Sequence, residues 1–373
     1  MKKDYIALGL MSGTSGDGID ASIIKSDGKG KYEVILNKYV KYNDQLFEEI
    51  HALKDVINAK KDLIKYSKKI NDLERKITLF HAEVVNEILK KNSIDLIGFH
   101  GQTIYHNASE KISKQLGNAA LLSQLCNTTV VYNFRENDIK NGGQGAPLTS
   151  VFHQQIIKQK KIKTPTCILN IGGIANITVI KDKKKLSIES SDIGPGNCLI
   201  DEWIRKNSKK KYDPGGEIAN TGNINEIILE QVQEYFLNRF NINKLSLDTK
   251  DFDISFARGL SIEDGAATLT ELTSVIITNS LSLILRKYKN KKIKILICGG
   301  GRKNNLLMRQ LNNKTAKNFT IEPIDKYNID GDFIESQAFA YLSIRSILKI
   351  PISFPKTTGC IAPVSGGDVI EIK

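Results

Sequence analysis

The sequence predicts an α/β protein composed of two related domains, and three observations support this fold class. A strand-like run, Tyr5–Leu8, is followed by a glycine-rich loop and a second strand-like run, Ala21–Ile24. The same pattern returns in the second half, where the run Cys167–Ile171, a Gly-Gly turn and the run Asn176–Ile180 follow one another. Stretches of helical periodicity lie between these strands and later ones, as in α/β sheets.

The length of the chain fits two domains of ordinary size, since 373 residues exceed what one hydrophobic core usually supports. A polar, lysine-rich connector, Gln159–Thr164, marks the boundary, so the predicted domains are residues 1–160 and 161–373. The helical stretch at residues 333–350 is expected to pack back towards the first domain.

The first glycine-rich loop has the composition of a phosphate cradle. Gly13, Gly16 and Gly18 permit close approach of backbone N–H groups to an anion, and Ser12, Thr14 and Ser15 add hydroxyl donors. A plain hairpin turn is the alternative, because such turns also favour Gly, Asp and Ser. A Walker loop is excluded, since its lysine is missing and a strand follows rather than a helix.

Polar residues follow the next predicted strand, Ile94–Phe99, which comes after an amphipathic helix at Leu73–Ile88. The residues after this strand include His100 and Gln102. Ligands of α/β sheets bind at the C-terminal ends of strands, so both side chains are candidates to bind ligand hydroxyl groups. An ordinary strand-to-helix turn is the alternative.

Arg135 directly follows another strand in a chain that carries most of its positive charge on lysine. A planar guanidinium suits two-point binding of carboxylate or phosphate. A salt bridge to Glu136 or Asp138 is the alternative. A flexible loop comes next, and Pro147 is expected to open the helix Leu148–Lys158.

In the second half, Asp192 precedes a Gly-Pro-Gly turn and the predicted helix Cys198–Lys206. Its carboxylate could act as a base or, alternatively, cap that helix, whose first N–H groups suit an anion. Further on, Gly299–Gly301 follow a strand and leave room for a flat base or ribose, although the dinucleotide fingerprint is not matched. Glu335 opens the last helix.

Composition narrows the class of protein. The net charge of +13 comes mostly from scattered lysines without interleaved aromatic residues, so a solvated basic surface is favoured over nucleic-acid binding. No segment approaches the roughly 18 apolar residues of a membrane span, and a cytoplasmic location is expected. The five cysteines and five histidines form no metal-ligand pattern, so no structural metal is expected.

Nine stretches, in one order, resemble the anhydro-N-acetylmuramic acid kinase family over nearly the full length. They are MSGTSGDGID, GFHGQTIYH, NFRENDIKNGGQGAPL, LNIGGIANIT, DIGPGN, DPGG, DGAATLTELT, CGGGRKNN and DFIESQAFA. The resemblance implies the actin/hexokinase/Hsp70 type of ATPase fold, with two related domains and an interdomain cleft. It also implies peptidoglycan recycling: ATP and Mg²⁺ would be used to hydrolyse and phosphorylate 1,6-anhydro-N-acetylmuramate, giving N-acetylmuramate 6-phosphate. A homodimer is compatible with the sequence.

The resemblance also implies a role for individual residues. The residues implied to bind ATP phosphates are Gly13, Thr14, Ser15, Gly16, Asp17, Gly18, Ile19, Asp20, Gly172 and Gly173. Those on the adenosine side are Gly299, Gly300, Gly301 and Asn304. Those that bind the sugar are His100, Gln102, Arg135, Pro147 and Glu335. Asp192 would be the general base that activates water.

Departures from the wider superfamily bear on the metal. An Asp usually begins each phosphate loop there, whereas this chain has Gly9 and Asn170, so Asp17 or a water shell would have to hold Mg²⁺. Ser336 and Gln337 stand where small apolar residues are common in the family, with little expected consequence.

Two other functions remain open. One is a kinase for an ordinary sugar hydroxyl, with Asp192 deprotonating that hydroxyl directly. The other is a nucleotide-switched binding protein, which would not need the polar set His100, Gln102, Arg135, Asp192 and Glu335.

Overall fold

A computed structural model describes residues 4–182, 187–239 and 246–372. Its strands are β1 (Tyr5–Ser12), β2 (Gly18–Ser26), β3 (Tyr32–Lys41), β4 (Leu96–Asn107), β5 (Ile112–Leu116), β6 (Thr129–Tyr132), β7 (Thr166–Ile171), β8 (Ile174–Asp182), β9 (Ser187–Pro195), β10 (Ile293–Cys298), β11 (Phe319–Pro323) and β12 (Asp368–Ile370). Its helices are α1 (Asp44–Val56), α2 (Lys60–Lys65), α3 (Ser67–Leu89), α4 (Ala119–Cys126), α5 (Glu136–Lys140), α6 (Ser150–Gln159), α7 (Cys198–Asn207), α8 (Glu226–Arg239), α9 (Ile262–Leu285), α10 (Asn305–Lys314) and α11 (Ile334–Ile347).

The chain forms two compact units. Unit 1 comprises Met1–Gln159 and Phe333–Lys373, and unit 2 comprises Lys160–Asp332. The predicted second domain ran on to residue 373, whereas the last 41 residues belong to unit 1. Two contacts explain this difference: α11 packs on β1 and β4, and β12 pairs with β6.

Both units have a sheet of the same topology. In unit 1 the strand order is β12-β6-β4-β1-β2-β3, with β5 added to β4, and in unit 2 it is β11-β10-β7-β8-β9. In each sheet three antiparallel strands come first, followed by two strands parallel to the first. The predicted α/β fold with two related domains is therefore confirmed, and the duplication is visible as an equal strand order.

The core of unit 1 depends on close contact between α11 and the sheet. A Cβ atom at Gly9 would lie 1.9 Å from the Ser336 carbonyl oxygen, and one at Gly98 would lie 2.4 Å from that of Phe339. No other residue could stand at these positions without displacing the helix backbone. Glycine at position 9 thus allows the helix that carries Glu335 to lie directly on the sheet.

The core of unit 2 is built around α9. By length and composition alone the segment Ile262–Tyr288 is the one described helix that could cross a membrane, and 67% of its most apolar window is buried in the protein. The sequence had predicted no segment as apolar as a membrane span. This helix is more apolar than that prediction, because the hydrophobicity of its Leu, Ile and Ala residues outweighs the weak polarity of its many Thr and Ser side chains. Its buried Ile277, Leu281 and Leu285 pack against the sheet of unit 2.

Candidate functional site

The loop between β1 and β2 has its carbonyl groups held by donors from elsewhere in unit 1. Gln102 Nε2 donates to the Gly13 oxygen (3.0 Å), Lys54 Nζ donates to the Thr14 oxygen (2.7 Å), and His51 Nε2 contacts the Ser15 oxygen (2.9 Å). Within the described residues, the N–H groups of Thr14 and Ser15 have no acceptor. Because C=O and N–H of one peptide point in opposite directions, fixing the carbonyls turns these amides the other way. This is the arrangement of an anion-binding loop.

The other loop residues differ in what they offer. Ile19 is fully buried in the core of unit 1, so its side chain cannot reach a nucleotide. Asp17 accepts hydrogen bonds from Ser15 Oγ and from the Tyr39 hydroxyl (3.0 Å). Asp20 lies inside β2, paired with Met11 of β1.

Gln102 lies inside a strand rather than after one. The predicted strand ended at Phe99, whereas β4 continues to Asn107 because its second half pairs with β5. The Gln102 side chain is fully buried beneath the first loop. Its Oε1 accepts from Ser12 Oγ (2.6 Å), and its Nε2 donates to the oxygens of Gly13 and Thr103. The amide group of Gln102 is thus hydrogen-bonded within the protein, whereas the sequence predicted that it binds the sugar.

Buried His100 and partly buried Arg135 form a hydrogen-bonded pair. Arg135 Nη2 (2.9 Å) and Nε (3.2 Å) donate to His100 Nε2, and His100 Nδ1 donates to the Gly101 oxygen (2.7 Å). Burial and the guanidinium charge hold the pKa of His100 well below its ordinary value, so the ring is neutral. The two predicted site residues are therefore brought together, with the histidine orienting the arginine.

The remaining Arg135 contact reaches the flexible loop. Its Nη1 donates to the Gly145 oxygen (2.6 Å). Buried Asp138 fixes this loop, because its Oδ2 accepts from the Gly145 N–H (2.7 Å) and its Oδ1 accepts from Thr358 Oγ1 (2.6 Å). Asp138, which the sequence offered only as an ion-pair partner of Arg135, is thus a loop support. The role of Thr358 had no sequence signal.

Two further predicted sugar-binding residues lie in unit 1. Pro147 is buried, and α6 begins at Ser150 rather than directly after it. Glu335, in the first turn of α11, is partly buried. Burial raises the pKa of its carboxyl group, and the charge of Arg135 opposes that rise. Electrostatics thus links Glu335 to the His100–Arg135 pair.

The turn between β7 and β8 in unit 2 resembles the first loop in its hydrogen bonding. The Gly172 oxygen accepts from Asn197 N–H (2.7 Å), and the Gly173 oxygen accepts from Gly196 and Cys198 N–H groups (2.9 and 3.2 Å). Within the described residues the Gly173 N–H has no acceptor, so it is available to an anion. The N–H groups of Asn197 and Cys198 at the start of α7 are occupied by these carbonyls, so these two are not available to an anion.

Asp192 lies inside β9, beside an irregularity in the pairing of β8 with β9. The cap position of α7 is Asn197, so Asp192 is not that helix's N-cap. Its Oδ2 accepts from the Leu247 N–H (2.7 Å). Across the sheet, Asn176 lies opposite both Asp192 and Asn170, and among described residues Asn176 Oδ1 has no hydrogen-bond partner. A β-bulge re-aims side chains, which is frequent next to active sites.

Only one of the glycines after β10 is open to a ligand. A Cβ at Gly299, where φ is +78°, would lie 2.4 Å from Asn170 Oδ1, and one at Gly301 would lie 2.2 Å from Ile171 Cγ2. Gly300 is exposed, and a Cβ there would meet nothing closer than 3.7 Å. Asn304 is buried and caps α10 by accepting from the Leu307 N–H (3.0 Å). Its side chain therefore supports the loop.

Comparison with known proteins identifies relatives along the whole chain. The sequence profile described as anhydro-N-acetylmuramic acid kinase matches residues 5–371. The protein of that name from Pelagibacter ubique (strain HTCC1062) is 54% identical over 100% of both chains. The one from Rhizobium etli is 35% identical over 97% of both. Among solved structures, a Schistosoma mansoni hexokinase complexed with glucose has 10% identity and a TM-score of 0.41, covering 91% of this chain and 85% of that one.

Proposed function

This chain belongs to the anhydro-N-acetylmuramic acid kinase family, and from that premise we propose how its residues perform the reaction. The protein is an ATP-dependent kinase of cell-wall recycling. It hydrolyses the 1,6-anhydro ring of 1,6-anhydro-N-acetylmuramate and phosphorylates O6. The products are N-acetylmuramate 6-phosphate and ADP.

The ATP phosphates bind to the loop Gly13–Asp17 and to the Gly172-Gly173 turn. The support for this is that the carbonyls of both segments are held by other groups, while the N–H groups of Thr14, Ser15 and Gly173 have no acceptor among described residues. Phosphate oxygens are acceptors only, so they match a backbone whose free groups are donors. The exposed Gly300 lies against the adenosine, with Gly299, Gly301 and Asn304 shaping its loop.

The sugar binds to Arg135 and Glu335, with His100 orienting the guanidinium. The Arg135 guanidinium donates two hydrogen bonds to neutral His100 and one to the Gly145 carbonyl. A guanidinium is a planar, charged donor whose fork suits a carboxylate, so Arg135 is the residue proposed to bind a polar group of the substrate such as its lactyl carboxylate. The carboxyl group of Glu335, whose pKa is raised, is an acceptor for sugar hydroxyl or amide protons.

Asp192 acts as the general base. It takes a proton from water as the water oxygen bonds to C1 and the C1–O6 bond breaks. O6 then bonds to the γ-phosphorus of ATP, and the bond from that phosphorus to ADP breaks. The hydrogen bond from Leu247 N–H holds the carboxylate in position and favours its charged form.

Asp17 is the residue that would hold Mg²⁺. Within residues 4–182, 187–239 and 246–372, no group of three or more His, Cys, Asp or Glu side chains could hold a metal ion. Mg²⁺ is commonly bound by one or two carboxylates together with phosphates and water, which fits a single carboxylate in the phosphate loop. When bound, the ion would neutralise charge on the β- and γ-phosphates. Consumption of ATP supports a cytoplasmic location.

The test combines a product assay with one substitution. The wild-type protein, given ATP and 1,6-anhydro-N-acetylmuramate in ¹⁸O-water, should give a product labelled at C1 and unlabelled in its phosphate. Product incubated alone in the same water corrects for anomeric exchange. Absence of C1 label beyond that exchange would favour direct phosphorylation of a hydroxyl instead.

Asp192→Asn should lower kcat about 10²–10⁴-fold, with ATP and sugar still binding. The amide oxygen of Asn can still accept from the Leu247 N–H, so the fold should be retained. Asp253→Asn, at an exposed carboxylate of the same unit, is the matched control and should leave kcat unchanged. A fully active Asp192→Asn protein would refute the base role.

A further inference from the structure

We propose that Gln102, Ser12 and Tyr42 form a positioning network that sets the conformation of the first loop for ATP, and that Gln102 does not contact the sugar. The inference rests on the proposed phosphate-binding role of that loop. None of the three side chains is more than 1% exposed. They come from three different segments of unit 1, so their hydrogen bonds exist only in the folded protein.

Hydrogen bonds connect Tyr42 through Ser12 and Gln102 to the Gly13 carbonyl. The Tyr42 hydroxyl donates to Ser12 Oγ (3.0 Å), Ser12 Oγ donates to Gln102 Oε1 (2.6 Å), and Gln102 Nε2 donates to the Gly13 oxygen (3.0 Å). The single proton of Ser12 Oγ is shared between Gln102 Oε1 and the Gly18 oxygen (3.0 Å), and the second amide proton of Gln102 goes to the Thr103 oxygen (3.3 Å). No donor of Gln102 is left for a substrate.

The network acts on both ends of the loop. At its start, the Gly13 carbonyl is held towards Gln102, so the Thr14 N–H in the same peptide points the other way. At its end, the Tyr42 N–H donates to the Asp17 oxygen (2.9 Å). Tyr42 thus joins the two ends through its backbone and its side chain.

Burial makes this arrangement the preferred one. A donor or acceptor that loses its partner in a buried site cannot turn to water, so a rotated Gly13 peptide would leave Gln102 Nε2 unpaired. The pKa of the Tyr42 hydroxyl is raised by burial, so it remains a protonated donor. The loop is therefore held ready for phosphate before ATP arrives, which lowers the ordering cost of binding.

The test separates the two substrates. Tyr42→Phe and Gln102→Leu should each raise KM and the calorimetric Kd for ATP about threefold to tenfold, the effect of one lost hydrogen bond. KM for 1,6-anhydro-N-acetylmuramate should change less than about twofold. In the double variant the Kd for ATP should be little higher than in the more affected single variant, because both substitutions break the same chain of hydrogen bonds. Tyr105→Phe removes another largely buried tyrosine hydroxyl, bonded to Glu110 Oε2, and should leave ATP affinity unchanged.

Three outcomes would overturn the proposal. If KM for the sugar rises while ATP affinity stays constant, Gln102 is a sugar ligand. If Tyr42→Phe changes the melting temperature and leaves the ATP affinity unchanged, the network contributes to packing only. If the fold increases in Kd for ATP of the two single variants multiply in the double variant, the two residues act independently. Absence of kinase activity in the wild type would instead refute the proposed function, and the calorimetric ATP affinities would still decide the network.

Discussion

His81 should make the protein lose stability in mild acid. The side chain is fully buried on α3, between the rings of Tyr42 and Phe99. Its Nδ1 donates to the Ile77 oxygen (2.8 Å), while Nε2 has no partner among described residues. Burial lowers the pKa of His81 to about 4, against 6.5 for an exposed imidazole.

The sign and size follow from proton linkage. Below pH 6.5 the unfolded chain binds a proton at this position that the folded protein does not bind, so stability falls as the pH falls towards 4. With these two values the loss is roughly 2 kcal/mol at pH 5 and a few tenths at pH 7. His81→Phe fills the same aromatic site without a titratable group, so it should remove this part of the acid sensitivity.

The assay is urea unfolding at pH 7 and pH 5, followed by far-UV circular dichroism. Wild type should lose about 2 kcal/mol more than His81→Phe between the two pH values. The single tryptophan, Trp203, lies in unit 2, so its fluorescence follows the unit without the substitution and serves as an internal comparison. Equal pH losses for the two proteins would refute the neutral, buried state of His81.

Two further predictions concern loop geometry. Gly299→Ala should destabilise the protein by about 2 kcal/mol or more, since φ is +78° and the new Cβ meets Asn170 Oδ1; Gly300→Ala should change stability by less than about 1 kcal/mol while weakening ATP binding. Thermal melts measure stability and ATP titrations measure affinity. Equal destabilisation by the two substitutions would contradict the different roles given to Gly299 and Gly300. Thr358→Val should lower the free energy of unfolding by about 1–3 kcal/mol, because Asp138 Oδ1 loses the hydrogen bond from Thr358. It should also raise KM for the sugar more than KM for ATP. Unchanged sugar kinetics would show that Thr358 does not support Arg135.

Features that depend on one segment of the chain could be predicted from the sequence. The glycine-rich loop lies between two antiparallel strands, as the strand–loop–strand pattern predicted, and the Gly-Gly turn repeats it in unit 2. His100 and Arg135, singled out by residue type and position after strands, do meet. The predicted end of the strand at Phe99 was wrong. β4 continues past Phe99 because it pairs with β5, and the local sequence does not predict those hydrogen bonds.

The sequence by itself determined the α/β class, the duplication and the family, because strand and helix periodicities and glycine positions are local properties of the chain. Only the tertiary structure decided which polar residues of the candidate site support its loops. Gln102 is separated from Gly13 by 89 residues and Thr358 from Asp138 by 220, and both pairs meet through buried hydrogen bonds. Such bonds depend on how strands and helices pack, and a single sequence carries no periodic signal for them. Local patterns therefore predicted the segments of the candidate site, and packing decided which side chains are held by hydrogen bonds within the protein.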